Sequence, residues 1–246
     1  MQQKQGLGKA LAERLVSKGA KVILGDIDRN DGLRLASELN HGKGNEVAFF
    51  VPCDVTKYDQ QAALFDAAFK HFGGVDIIVN NAGIAESTPL WEDDKGIWKK
   101  VIDIDLSAVI EGTRLGIQAL KKQGREGVII NTASLAGLYP QARTPAYSAA
   151  KFGVIGFTRS FKDFDSSIRI NAVAPSFAPT KIIESMRENV AKIELVSVEM
   201  VTDAFMLLIE DDSCSGDVAR ITPKYGINVL GKATGGDKDK KKKAKL

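Results

Sequence analysis

The sequence predicts an α/β protein with a doubly wound parallel sheet, because short apolar runs alternate with amphipathic helical patterns along most of its 246 residues. Apolar runs of this length are typical of strands buried on both faces, and strand–helix alternation at this spacing is typical of βαβ units. Hydrophobic residues make up 44% of the chain and charged residues 26%, an ordinary composition for a globular protein that can bury a core. We therefore expect one domain with helices on both faces of its sheet.

The apolar runs and the helical periods define the individual elements. Leu7, Leu11 and Leu15 repeat every four residues and predict a first helix. Further helices are predicted over Tyr58–Phe72, about Lys95–Gln123 and about Pro145–Phe164, where apolar residues recur at helical spacing. The predicted strands, of which the last is the weakest, are Lys21–Asp26, Glu46–Val51, Val75–Val79, Val128–Asn131, Ile168–Val173 and Asp217–Ile221.

The charge is concentrated at the end of the chain. The last ten residues hold six lysines and two aspartates and therefore carry a net charge of +4. The net charge of the whole chain is +3, so the remaining 236 residues sum to −1. We place the domain at residues 1–230 and expect residues 231–246 to be a Lys-rich, disordered tail. The run Lys240–Lys243 is interpreted as solubilising, and binding to acidic lipid or nucleic acid is the alternative. The body itself has none of the basic excess of a nucleic-acid-binding protein.

Composition also bears on location and metals. No window of about 18 residues is apolar enough for a membrane span, and we expect no signal peptide because the first five residues form no apolar run. The two cysteines, Cys53 and Cys214, are too few for a disulfide scaffold, so a reduced, cytoplasmic setting is expected. His41 and His71 have no nearby cysteine or histidine in the sequence, and no metal site is predicted.

A glycine turn and an acidic residue suggest a nucleotide site. Gly6-Leu7-Gly8 opens the first helix, where glycines let a pyrophosphate approach backbone N–H groups. Asp26 ends the next strand, and a carboxylate there can accept hydrogen bonds from a ribose and repel a 2′-phosphate. A sheet of this kind needs a strand leading into the glycine turn, yet only Met, three Gln and one Lys precede Gly6. We therefore expect an N-terminally truncated chain that lacks the first strand.

A serine, a tyrosine and a lysine form a candidate catalytic set. Ser134 follows a predicted strand, and Tyr147 and Lys151 are four residues apart, which places them on one helix face. An ammonium group beside a phenol stabilises the phenolate, which can then remove the proton of an alcohol. A serine hydroxyl nearby can hold the reacting oxygen.

These residues and Asn80-Asn81-Ala82-Gly83, which follows the strand Val75–Val79, occur in the order and spacing of one known family. The chain resembles the short-chain dehydrogenase/reductase family over residues 1 to about 230. The resemblance implies a Rossmann-type fold and NAD as cofactor. Within the family the chain is most similar to members that oxidise the 15-hydroxyl group of prostaglandins. This resemblance implies that the protein is a cytoplasmic homodimer that oxidises a secondary hydroxyl of a lipid mediator to a ketone.

The resemblance also implies residue roles. Tyr147 would be the catalytic base, Lys151 would hold the nicotinamide ribose and assist Tyr147, and Ser134 would bind the reacting oxygen. Ser134, Thr144 and Tyr147 would meet the substrate, and Asp26 would select NAD. Contacts to the cofactor are implied for Gly6, Leu7, Gly8, Asp26, Ile27, Asp54, Val55, Asn81, Ala82, Gly83, Tyr147, Lys151, Pro175 and Thr180.

Three departures from the family pattern keep alternatives open. Where the family has a catalytic Asn, this chain has Asp105, and an ionised Asp can only accept hydrogen bonds. A Gln of the prostaglandin-oxidising members is Thr144 here, which motivates an alternative substrate: a steroid, a retinoid or a simple secondary alcohol. Together with Gln2 in place of the first loop glycine, Asp105 also motivates a second hypothesis: a catalytically dead, dimeric relative that binds a ligand or partner.

Overall fold

The computed structural model describes residues 6–180, 182 and 193–231. The expected Lys-rich tail and any strand preceding Gly6 lie outside these residues, and the truncation therefore stays a prediction. Residues 181 and 183–192 also lie outside the described residues. Within the described residues the α/β class and the alternation of strands and helices are confirmed.

Seven strands and seven α-helices alternate along the described part of the chain. The strands are β1 (Val22–Asp26), β2 (Ala48–Pro52), β3 (Ile77–Asn80), β4 (Gly127–Thr132), β5 (Ile168–Pro175), β6 (Val218–Thr222) and β7 (Gly226–Leu230). The helices are α1 (Leu7–Ser17), α2 (Arg29–Asn40), α3 (Tyr58–Phe72), α4 (Ile97–Ile102), α5 (Ala108–Gln123), α6 (Pro145–Arg159) and α7 (Val198–Glu210).

The strands form two sheets rather than one continuous sheet. β1 pairs with β2 in parallel, and the second sheet has the order β3-β4-β5-β6-β7. All its pairs are parallel except β6 with β7, which pair antiparallel along the edge. In the described residues no ladder joins β1 to β3, and residues of both strands line a shared cavity.

The core explains why the predicted strands read as continuous apolar runs. Ile129, Ile170 and Val173 in β4 and β5 are fully buried, since helices pack on both faces of these central strands. α7 covers one face beside β5 and β6, and α5 and α6 cover the other face. The C-terminal turn of α7 is bound to β5: the guanidinium of Arg169 in β5 donates to the carbonyls of Leu208 and Ile209 at 2.8 and 2.7 Å.

The predicted helix over Lys95–Gln123 is interrupted. α4 and α5 are joined by one turn of π-helix, Asp103–Ser107, in which Asp105 is buried. A π-helical turn inserts an extra residue into a helix, and such turns are frequent at functional sites. Because the insertion changes the direction in which side chains point, helical periodicity alone could not place Asp105.

Candidate functional site

The carboxyl ends of the parallel strands open into one large cavity. Its volume is about 2470 Å³, well above the roughly 300–1,000 Å³ of an ordinary ligand pocket. The excess arises because the cavity continues between β1 and β3, so that residues 21–26 and 75–80 line it along the whole length of both strands. In an open α/β sheet this edge is where ligands bind.

The glycine turn forms one end of the cavity. Gly6 is the residue that precedes α1, its backbone is extended, and it has no side chain to cap the helix. A Cβ at Gly6 would meet no atom of the described residues within 4 Å, whereas a Cβ at Gly8 would lie 3.0 Å from Asn81 Nδ2. The turn therefore leaves room for an anion at the helix N-terminus and lets α1 approach the loop after β3.

Acidic side chains surround the ends of β1 and β2. Asp26 is exposed, and its Oδ1 accepts a hydrogen bond from the Asp28 N–H at 2.8 Å. The pKa of the buried Cys53 thiol is raised to about 11, mainly by burial and further by the negative charges of Asp54, Asp26 and Asp59. The carboxylates of Asp26 and Asp54 thus line this part of the cavity. A ribose diol suits such a place, and a 2′-phosphate does not.

Lys151 lies at the centre of the catalytic set. It is 2% exposed, and its ammonium group donates to the Thr132 carbonyl at 2.8 Å. Its Nζ lies 3.0 Å from Asp105 Oδ2 and 5.5 Å from the centre of the Tyr147 ring. Since Tyr147 and Lys151 are one turn apart on α6, the ammonium group is held beneath the phenol, as the four-residue spacing predicts.

Ser134 is positioned by a tight turn against the same helix. It follows β4, and its Oγ accepts a hydrogen bond from the Ala136 N–H at 3.1 Å. The next turn packs backbone to backbone on α6, because a Cβ at Gly137 would lie 2.5 Å from the Lys151 carbonyl oxygen. Both Ser134 and Tyr147 line the cavity.

Asp105 does not line the cavity but lies behind it. It is fully buried, its Oδ1 accepts a hydrogen bond from the Ile84 N–H at 2.8 Å, and its Oδ2 contacts Lys151. Burial raises the pKa of Asp105, the charge of Glu86 raises it further, and the nearby Lys151 ammonium offsets part of that effect. A Cβ at Gly83 would lie 2.9 Å from Asp105 Oδ2, so only glycine fits between this carboxylate and the cavity.

The structure brings most of the predicted site residues to one space. Thr144 lines this cavity although the residue is only 1% exposed. Asp105 does not line the cavity, and it contacts Lys151, which does. The predicted residues that line the cavity are Gly6, Leu7, Gly8, Asp26, Ile27, Asp54, Val55, Asn81, Ala82, Gly83, Ser134, Thr144, Tyr147, Lys151, Pro175 and Thr180.

Sequence reasoning missed two supports of this site. One is a buried amide network in which Asn80 Nδ2 donates to Asn131 Oδ1 at 2.8 Å and Asn131 Nδ2 donates to Thr158 Oγ1 at 3.1 Å. The other is the buried Glu86, whose carboxylate binds the start of α6. Both depend on residues far apart in the chain, and no spacing pattern marks them.

The described residues contain neither a cluster of metal-ligating side chains nor a helix that could span a membrane. Across residues 6–180, 182 and 193–231, no three His, Cys, Asp or Glu side chains are grouped so that they could hold a metal ion. Among the helices of the described ranges, none has the length and apolar character needed to cross a membrane.

Comparison with known proteins gives consistent results. The sequence profile described as short chain dehydrogenase matches residues 3–191. The chain is 37% identical to the 15-hydroxyprostaglandin dehydrogenase [NAD(+)] of Bos taurus, over 91% of this chain and 90% of that enzyme. It is 35% identical to the trans-4-hydroxycyclohexanecarboxylate dehydrogenase of Sinomonas cyclohexanicum, over 85% and 83% of the two chains. It is also 37% identical to the 3beta-hydroxysteroid dehydrogenase 2 of Eggerthella lenta, over 74% and 71%.

Proposed function

This chain belongs to the short-chain dehydrogenase family, and on that premise we propose that it oxidises a secondary hydroxyl of a lipid mediator of the 15-hydroxyprostaglandin type. It is an NAD-dependent oxidoreductase that acts on secondary alcohols. One observation supports the residue assignment above all others: a single cavity joins Ser134, Tyr147 and Lys151 to the glycine turn and to Asp26. The coverage of 15-hydroxyprostaglandin dehydrogenases over nine-tenths of both chains supports the substrate class.

The residues of the cavity fit a dinucleotide. Gly6 and Gly8 would receive the pyrophosphate, Asp26 and Asp54 would face the adenosine half, and Asn81 to Gly83 with Pro175 and Thr180 would line the nicotinamide half. Bound NAD would accept a hydride from the carbinol carbon. The open space over Gly6 and the acidic surroundings of Cys53 are the observations that support this placement.

The chain's own residues would handle the proton. Ser134 Oγ would donate a hydrogen bond to the alcohol oxygen and orient it toward Tyr147. Tyr147, as phenolate, would take the hydroxyl proton as the carbonyl forms. Lys151 would stabilise that phenolate, and Asp105 and the Thr132 carbonyl would hold Lys151 in place. Asp105 would thus act through Lys151, as a positioning residue.

Location and assembly are part of the same proposal. We expect the enzyme to act in the cytoplasm as a homodimer, as the family resemblance implies. Ile110 on α5 and Phe152 on α6 are 39% and 43% exposed and offer apolar surface for the second subunit. Neither residue lines the cavity of the described residues, so association through them leaves the cavity lining untouched.

A substrate panel tests the proposed function. The purified chain would be given NAD with a 15-hydroxyprostaglandin, a 3β-hydroxysteroid, a retinoid alcohol or a simple secondary alcohol, and NADH formation would be followed. We expect kcat/KM to be at least about tenfold higher for the prostaglandin, a ratio that a few extra apolar contacts can produce. Preference for the steroid would contradict the lipid-mediator assignment. Tight NADH binding with no turnover of any alcohol would favour a binding protein.

The Asp26 carboxylate is expected to set cofactor preference. Asp26→Asn should lower kcat/KM for NAD about tenfold or more, because hydrogen bonds to a charged group contribute about 1.5–3 kcal/mol. The same change should improve the use of NADP, since it removes a charge that repels the 2′-phosphate. Steady-state kinetics with both cofactors would measure the effect. Glu46→Gln, which neutralises an acid beside His71 outside the cavity, is the matched control. Equal changes in both variants would contradict the assignment.

A further inference from the structure

Glu86 is a buried acid that the sequence motifs leave unassigned. It lies in the loop after β3, it is 4% exposed, and it does not line the cavity that the described residues enclose. Its carboxylate accepts two backbone hydrogen bonds from α6: Ala146 N–H donates to Oε1 at 2.6 Å and Tyr147 N–H donates to Oε2 at 3.1 Å. The carboxylate therefore holds the backbone of the proposed catalytic residue directly.

Helix α6 has no cap of its own. The side chain of Thr144, the residue before the helix, accepts no hydrogen bond from the first turn, and Pro145 has no N–H to donate. The Ser148 N–H donates to the Thr144 carbonyl at 2.9 Å. The N–H groups of Ala146 and Tyr147 therefore need an acceptor from outside the helix. Glu86 supplies one carboxylate oxygen to each of them. A carboxylate at a helix N-terminus also interacts favourably with the helix dipole.

The loop that carries Glu86 also holds the other side of the catalytic set. Two residues before Glu86, the Ile84 N–H donates to Asp105 Oδ1 at 2.8 Å, and Asp105 in turn contacts Lys151. One short segment, Gly83–Glu86, therefore contacts both the start of α6 and the carboxylate that pairs with Lys151. The segment thus supports Tyr147 from the start of α6 and Lys151 through Asp105.

We propose that Glu86 is a positioning residue that fixes the first turn of α6 and thereby the Tyr147 phenol over the substrate. This inference rests on the proposed dehydrogenase function. Loss of the carboxylate would free the Tyr147 backbone while removing no side chain that lines the cavity of the described residues. The consequence is a slower chemical step with little change in binding, because a misplacement of about 1 Å can cost about 10²-fold in rate.

The test uses the full chain with Glu86→Ala and Glu86→Gln. We expect Glu86→Ala to lower kcat by about 10²-fold, with KM for NAD and for the alcohol within about threefold of the parent. Glu86→Gln should lower kcat less, since its amide oxygen can replace only one of the two acceptors. If Glu86→Ala does not fold, the isosteric Glu86→Gln variant carries the test alone. A kcat within about twofold of the parent in both variants would overturn the proposal.

Arg169→Met separates positioning from a general loss of stability. It removes the guanidinium that binds the last carbonyls of α7, a helix that does not line the cavity in the described residues. We expect a lower melting temperature with an unchanged kcat. If Arg169→Met lowers kcat as much as a Glu86 variant of equal melting temperature, the effect of Glu86 is only structural and the proposal fails.

Amide hydrogen exchange gives a readout that does not need turnover. The Ala146 and Tyr147 amides should exchange faster in Glu86→Ala, while amides in α7 keep the parent rate. This measurement decides the matter even if the parent chain oxidises no alcohol, an outcome that would refute the proposed function but not the role of Glu86 in α6. Unchanged exchange at both amides would overturn the inference whatever the activity.

Discussion

Tyr147→Phe is expected to lower kcat for alcohol oxidation by about 10³-fold, within the range that a general base contributes. The phenylalanine ring fills the same space above the Lys151 ammonium, which lies 5.5 Å from the ring centre. Only the hydroxyl that accepts the substrate proton is lost. We therefore expect the melting temperature and the affinity for NADH to stay at the parent values, because the fold and the rest of the cavity are unchanged.

Tyr139→Phe is the matched control for this experiment. Tyr139 is 56% exposed, its hydroxyl lies 3.5 Å from Arg220 Nη1, and it does not line the cavity of the described residues. Removal of this hydroxyl should leave kcat unchanged. The measurements are kcat and KM with the best alcohol of the panel, together with NADH fluorescence titration and thermal melting. Turnover by Tyr147→Phe within about tenfold of the parent would refute the role of Tyr147 as the base.

Lys151→Met is expected to destabilise the fold by about 3–5 kcal/mol near neutral pH, the usual result of removing one partner of a buried ion pair. Methionine matches the length of the lysine stem, so packing is preserved. The variant leaves Asp105 fully buried with the Ile84 N–H as its hydrogen-bond donor but without the ammonium group. Turnover should also be lost, since the phenolate of Tyr147 loses its stabilising charge.

The destabilisation should depend on pH with a defined sign. Burial raises the pKa of Asp105 above its usual value of 3.8, and removal of Lys151 takes away a charge that lowers it. The unfolded chain therefore releases this proton at lower pH than the folded chain does. Below the unfolded value Asp105 is protonated in both states and the penalty is absent. As pH rises through the interval up to the raised folded value, the Lys151→Met variant loses stability faster than the parent.

Urea denaturation at about pH 4 and about pH 7 measures this effect, and two further variants control it. The double variant Lys151→Met/Asp105→Asn should recover much of the stability at the higher pH, because position 105 no longer carries an unpaired buried charge. Lys121→Met breaks an exposed pair with Asp165, in which Nζ and Oδ2 are 3.6 Å apart, and should change stability by less than about 1 kcal/mol. A double variant no more stable than Lys151→Met would contradict the charge-burial explanation.

Local sequence patterns predicted the helices and strands in which buried apolar residues recur at a regular spacing. They missed the elements that lack such a regular spacing. β7 is a short antiparallel edge strand in which no residue is fully buried, so it has no apolar run to reveal it. α2 buries only Gly32, Ala36 and Leu39, too few for a helical period to stand out. α7 buries residues on several sides because it lies between the sheet and α1, and a helix apolar on several sides loses its periodic signal.

The sequence by itself determined what depends on residues near each other in the chain. The α/β class follows from the alternation of buried strands and helices, the turn at Gly6 and Gly8 from a helix start, and the pairing of Tyr147 with Lys151 from one helical turn. Family resemblance added NAD and a secondary alcohol. Each of these predictions depends on the spacing of a few residues or on the order of known motifs, and both can be read directly from the amino-acid sequence.

Only the tertiary structure decided what depends on distant segments. It placed Asp105 behind the cavity wall against Lys151, assigned Glu86 to the first turn of α6, and separated β1 from β3 by an open space. Glu86 and Tyr147 are 61 residues apart in the chain, and their 3.1 Å contact exists only because β3 and β4 bring the loop and the helix to one edge of the sheet. Burial and electrostatic pairing are properties of that assembled edge, and no local spacing specifies them.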